Sequence, residues 1–193
     1  MAHHIYHTTA LILLTKERGE ANKRVTLLTR ELGLVHAIAQ GIRYEKSKLR
    51  FALQELSLAR VDLVRGRDVW RITSAQSIHS FASECLVAQK KNTTERVIGT
   101  ILRFYLGEDV HETVFDLVLR FLQAMEEEME KENYISHEVY TLFRVLCELG
   151  YCTVPNSARQ YEDNFSHAGI AIPETIRTQM ILEINRAFKE SHL

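Results

Sequence analysis

The sequence predicts an α+β protein: a small N-terminal β-barrel followed by an all-α helical domain. Three observations lead there. Up to about residue 76, apolar and polar residues alternate in short bursts, the period of half-buried strands. Glycines punctuate those bursts at turn-like positions. Beyond that point the apolar spacing lengthens to the helical period. The boundaries read from this change are 1–76 and 77–193. Charge divides along nearly the same line. Residues 1–74 hold 13 Lys+Arg against 7 Asp+Glu, a net of +6, and the remainder holds 11 against 18, a net of −7, behind an overall −1. An asymmetry of that kind is evidence about partners.

The elements follow in order. His3, His4 and His7 read as a solvated N-terminal arm. Ala10–Leu14 is a short apolar strand that ends in the turn-like Glu17-Arg18-Gly19-Glu20. Val25–Thr29 and Leu34–Ala39 are strands joined by Glu31-Leu32-Gly33, a tight turn with Gly33 at positive φ. Ala59, Val61 and Leu63 alternate with Arg60 and Asp62, and Trp70 and Ile72 alternate with Arg71 and Thr73. Arg65-Gly66-Arg67-Asp68 makes the hairpin between them. Five strands in about seventy residues suit a Greek-key barrel of the OB type. A β-sandwich or an SH3-like barrel fits the periodicity equally well.

The pattern changes near Ser74–Ser80. Val97, Ile98, Ile101, Leu102 and Tyr105 form one helical stripe. Val114, Val118, Phe121, Leu122 and Met125 form a second, which the acidic Glu126–Glu132 continues as a solvated face. Val139, Leu142, Phe143, Leu146 and Leu149 form a third, closed by Gly150 as a C′ glycine. Tyr151–His167 is irregular. Pro173-Glu174 opens a last helix carrying Ile176, Met180, Ile184 and Phe188. These stripes read as bundle core.

The composition is that of a folded soluble chain, with 46% hydrophobic and 25% charged residues. No apolar run approaches the roughly 18 residues of a membrane span, and MAHHIYHTTALILL lacks the basic start and cleavage site of a signal peptide. Cys85, Cys147 and Cys152 are an odd set without a CxxC pair. They fit a reducing cytoplasm and exclude a disulfide framework or a structural zinc site. Enzyme signatures are missing. No two glycines sit two apart, no glycine precedes Lys, His137-Glu138 is not completed to HExxH, and no Ser sits in GxSxG. The expectation is a non-enzyme with no cofactor, no metal and no small-molecule substrate.

What remains is a basic set: Lys23, Arg24, Arg30, Arg43, Lys46, Lys48, Arg50, Arg60, Arg65, Arg67 and Arg71. Such groups bind phosphates by releasing counterions, and OB barrels add aromatic stacking. The densest cluster is Arg43, Lys46, Lys48 and Arg50, with Glu45 as its one acid. Tyr44 lies within it and is the stacking candidate. Phe51 is also available, and Trp70 sits on the apolar phase of its strand, as core. The candidate nucleic-acid-binding residues are Lys23, Arg24, Arg30, Arg43, Tyr44, Lys46, Lys48, Arg50, Arg65 and Arg67.

Leu28-Thr29-Arg30-Glu31-x-Gly33-Leu34, Gly41-x-Arg43, Ser47-Lys48-Leu49 and Leu53-Gln54 resemble the N-terminal OB domain of the RecO family, bacterial recombination mediators. LFRVLCELGY at Leu142–Tyr151 and the tail INRAFKESHL are similar to later family segments. The resemblance implies single-stranded DNA binding, strand annealing and loading of recombinase on coated single strands. It also implies RecR and the single-strand-binding protein as partners, double-stranded DNA as a further ligand, and a cytoplasmic, nucleoid-associated location. There are two departures. Many family members carry a four-cysteine zinc module after the Leu-Gly-Tyr helix. Here only about twenty residues separate Tyr151 from Pro173 and Cys152 is the one cysteine among them, so zinc is not carried over. The helical part is acidic, so docking of the acidic tail of the single-strand-binding protein is not carried over either. From the residues alone, a protein-interaction adaptor with a passive barrel and an RNA-binding OB protein remain open.

Overall fold

The fold is that of a computed structural model, which describes residues 4–67, 69–127, 131–154 and 172–191. His3, Asp68 of the expected hairpin turn, residues 128–130 of the acidic run and most of Tyr151–His167 lie outside the described residues. Among those described, no helix is long and apolar enough to cross a membrane. The chain falls into two compact units, Met1–Ser83 with Leu106–Phe115, and Glu84–Tyr105 with Asp116–Leu193.

The first unit is the expected barrel. Its strands are β1 (Ile5–Arg18), β2 (Asn22–Thr29), β3 (Gly33–Ala39), β4 (Ser57–Arg65) and β5 (Trp70–Ser80). They close in the order β1-β2-β3-β5-β4, with only β3 and β5 parallel. This is the five-stranded Greek-key closure of an OB barrel. Period-2 alternation supplies the core: Ala10, Ile12, Val25, Leu27, Val35, Ala37, Ala39, Ala59, Val61, Leu63, Trp70 and Ile72 all face inward. Gly33 has φ +69°, and a Cβ there would strike the Asp109 backbone carbonyl.

Two local expectations are corrected. From Ile5 onward the N-terminal arm is strand, not solvated coil. Ile5 pairs with Val64 of β4, and the His7 imidazole lies 2.6 Å from the Asp62 carboxylate. Closure demands this length, because β1 must pair with β4 through one half and β2 through the other. A row of partners leaving β1 at Ile5 runs through Val64, Arg71, Ile38 and Arg24 and returns to β1 at Lys16. That stagger is the shear a barrel needs.

The second unit holds most of the helical part. α1 (Leu49–Ala52) and α2 (Ala82–Cys85) are single turns, and the long helices are α3 (Ala88–Phe104), α4 (Glu112–Ala124), α5 (Lys131–Glu148) and α6 (Glu174–Glu190). Their expected stripes are the buried ones, including Val97, Ile101, Val118, Phe121, Phe143, Leu146, Met180 and Ile184. α5 ends in a Schellman motif: Gly150 is at φ +82°, Tyr151 N–H donates to Leu146 C=O at 2.8 Å and Gly150 N–H to Cys147 C=O at 3.0 Å. The second correction concerns α4, which stops at Ala124 instead of running on through the acidic residues. Consecutive glutamates oppose the negative end of the helix dipole. The buried Lys90 ammonium instead takes the carbonyls of Met125 at 2.6 Å and Glu127 at 3.1 Å, which caps the chain where it leaves the helix.

Candidate nucleic-acid interface

The densest cationic cluster lies on residues 40–56, between β3 and β4. Two buried side chains, Ile42 and Leu53, pin both ends of this segment to the barrel core. Gly41, at φ +63°, donates its N–H to Asn22 Oδ1 at 2.9 Å, and Arg43 N–H donates to the Ala21 carbonyl at 3.2 Å. Successive turns then wind the chain, with Tyr44 N–H to Gly41 C=O, Ser47 N–H to Tyr44 C=O and Arg50 N–H to Ser47 C=O at 3.2, 3.0 and 3.3 Å. The segment is thus an ordered ledge. Lys46, Lys48 and Arg50 are exposed on it, with no ion pair among the described residues. Tyr44 is 67% exposed. Glu55 is turned away and accepts from the Thr15 N–H at 2.6 Å.

A second cationic surface adjoins the first at the β1–β2 end. Lys16 lies opposite Arg24 and Glu17 opposite Lys23. Arg43 reaches Glu17 at 3.5 Å and donates to the Gly19 carbonyl at 3.5 Å, so part of its charge is spent in holding the ledge to the hairpin. Lys16, Glu17, Arg18 and Arg24 line a shallow open depression of about 260 Å³. Arg71 continues the row, because it pairs with Ile38, the partner of Arg24. Like charges directly opposed across strands are destabilising, so the Lys16–Arg24 pair is a standing cost that an anion would relieve. Beside them His36 sits 3.1 Å from Thr26 Oγ1. Partial burial, reinforced by the Arg24 guanidinium, holds its imidazole below the ordinary histidine range.

The remaining candidates lie elsewhere on the barrel. Arg65 is 3.6 Å from Glu108 and stands over the Trp70 ring at 5.4 Å. Arg30 is 3.9 Å from Glu112 and stands over Phe115 at 5.7 Å. Trp70 is 5% exposed and donates its indole N–H to Glu108 at 2.7 Å. An acidic stretch of Leu106–Phe115 therefore already partners two of the predicted cations. Arg67 is exposed in the β4–β5 turn. Arg43, Tyr44, Lys46, Lys48 and Arg50 lie on the ledge, Lys23 and Arg24 lie on β2 with their side chains on opposite faces of the strand, and Arg30 and Arg65 are set apart. Sequence reasoning missed Lys16 and Arg18. The available signal was their place at the end of an apolar run facing Lys23-Arg24 across a glycine turn. Among the described residues, no group of His, Cys, Asp and Glu is arranged to hold a metal ion.

With this geometry in view, the relatives are informative. Residues 1–81 match the family described as Recombination protein O N terminal. The chain is similar to the DNA repair protein RecO of Heliobacterium modesticaldum, 39% identical over 79 residues, covering 41% of this chain and 29% of that protein. It is similar to the protein of that name from Dehalococcoides mccartyi strain 195, 30% identical over 129 residues, covering 67% of this chain and 51% of the relative. The one from Gloeothece citriformis is 26% identical over 145 residues, covering 75% and 51%. The chain spans about half the length, or less, of these curated relatives.

Proposed function

We propose, from the match of residues 1–81 to the RecO N-terminal family, that the chain is a non-catalytic DNA repair and recombination mediator of the RecO kind. It captures single-stranded DNA on the 40–56 ledge and the adjoining hairpin. Lys46, Lys48 and Arg50 neutralise phosphates, Arg24 and Lys23 extend the track, and Tyr44 stacks on a base. Neutralising two strands on one surface lowers their mutual repulsion, which promotes annealing and helps load recombinase on protein-coated strands. RecR and the single-strand-binding protein are the partners this reading brings with it, in a cytoplasmic, nucleoid-associated setting, with double-stranded DNA as a weaker ligand.

The observation that carries the reading is the ledge itself: three exposed cations with no ion pair among the described residues, on the same segment as an exposed tyrosine. Arg30 and Arg65, by contrast, already face Glu112 and Glu108. Titration of labelled single-stranded DNA across a salt series tests it. Four phosphate contacts on a single strand give a log–log slope of about −3. A flat response favours the adaptor reading, in which the barrel is passive.

A further inference from the structure

We infer that Phe51 is a base-stacking residue of the ledge, working with Tyr44 to make the site selective for exposed bases over phosphate alone. The inference rests on the single-strand reading of that ledge and adds to it a large apolar side chain left mostly in water. α1 is one helical turn. Leu49 and the C-cap Leu53 pack on the barrel core, and Ala52 between them in the helical period is buried. The helical period therefore throws Arg50 and Phe51 outward together. Phe51 is 72% exposed, an apolar ring on the polar face of a turn whose anchoring is already complete. Tyr44 is held differently but to the same end. Its ring edge comes within 3.2 Å of where a Cβ on Gly41 would stand, so the glycine leaves it room, while Tyr44 stays 67% exposed.

The chemistry around the two rings selects the occupant. Between them in the chain stand Lys46, Lys48 and Arg50. Of the two acids within the 40–56 segment, Glu45 and Glu55, the second accepts from Thr15. A polyanion bearing flat apolar groups matches rings flanked by cations. Duplex DNA offers the phosphates but keeps its bases stacked inside, so Phe51 and Tyr44 find partners only on a single strand. An apolar protein groove offers nothing to Lys46, Lys48 and Arg50, the exposed cations within five residues of Phe51 in the chain.

Fluorescence anisotropy with labelled oligothymidine and with an abasic phosphodiester of equal length tests this on the full chain. Wild type is expected to prefer oligothymidine. Phe51→Ala is expected to weaken oligothymidine binding about tenfold, about 1.4 kcal/mol, to leave the abasic strand within about twofold, and to leave the salt slope unchanged. Phe51→Trp is expected to keep the preference and to show indole emission quenched on oligothymidine. Phe51→Leu, which retains bulk without a π face, should behave as Phe51→Ala and guards against a folding artefact. Unchanged oligothymidine binding by both Phe51→Ala and Phe51→Leu overturns the inference, and is the result expected if the ring serves a protein partner. If those variants are silent while Lys48→Glu weakens binding, only the stacking role fails. If wild type itself lacks salt-dependent binding, the single-strand reading fails with it.

Discussion

Neutralising the ledge should change how binding responds to salt more than how the protein folds. The perturbation is the triple variant Lys46→Gln, Lys48→Gln, Arg50→Gln. All three side chains are exposed and none has an ion pair among the described residues, so little folding energy is lost. If each contributes one phosphate contact on a single strand, each accounts for about −0.7 of the log–log slope. With Arg24 as a fourth contact, the wild-type slope is about −3 and the triple variant's about −0.7. Raising salt fourfold, from 50 to 200 mM, then weakens wild type by about 50-fold but the variant by only about threefold. The control is Arg30→Gln with Arg65→Gln. Their charges already face Glu112 and Glu108 at 3.9 and 3.6 Å, so the slope should move by less than about 0.5. Anisotropy at five salt concentrations resolves the difference. A triple variant that keeps the steep slope, or a control that abolishes it, refutes the placement of the site on the ledge. Arg43 is a poor probe, because reversing it also breaks its contacts with Glu17 and Gly19.

Three further outcomes follow from the packing. Glu108→Ala leaves the Trp70 indole N–H without its acceptor, at a cost of about 1–3 kcal/mol, to be seen in urea unfolding followed by the single tryptophan; an unchanged midpoint would mean the 2.7 Å bond adds nothing. His137 is fully buried, and burial pushes its imidazole below 6.5. The unfolded chain then binds the proton more readily, so stability is full above pH 6.5 and falls by at most about 1.4 kcal/mol per unit as pH drops toward the lowered folded value. Melting temperatures from pH 7.5 to 5.5 should show this, reduced in His137→Gln, with His36→Gln separating the contribution of the same sign from the barrel. The thiols should label in a fixed order. Burial pushes Cys85 up to about 11, while a hydrogen bond from Cys147 lowers Cys152, so iodoacetamide at pH 8 should modify Cys152 first, and early labelling of Cys85 would show that its pocket opens.

Much of the fold was legible because its signals are local. The alternation of Ala59, Val61 and Leu63 fixes which face of β4 is inside, and the αL positions of Gly33 and Gly150 mark a strand turn and a helix end. The full length of β1 was not legible, since it follows from closing the barrel and not from the residues of the strand. Lys16 shows the limit more sharply. Ala10 and Ile12 face inward, so strict alternation would bury Lys16 as well. A bulge between Ile12 and Leu14 shifts the phase and turns Lys16 outward, opposite Arg24. A bulge is a property of the pairing, and nothing in TALILLTKER announces it.

The candidate site was half legible for a related reason. Composition marks the cations, but whether a cation is free depends on partners remote in sequence. Arg30 meets Glu112 and Arg65 meets Glu108, and neither acid belongs to the strands that carry those arginines. Exposed pairs of this kind add at most about 1 kcal/mol each, so stability gives weak pressure to form them, and even less reason to deny partners to Lys46, Lys48 and Arg50. Those three stand on a ledge held in place by Ile42, Leu53 and a chain of backbone hydrogen bonds. An anion arriving there finds the cations on a segment that is already ordered, which lowers the ordering cost of binding.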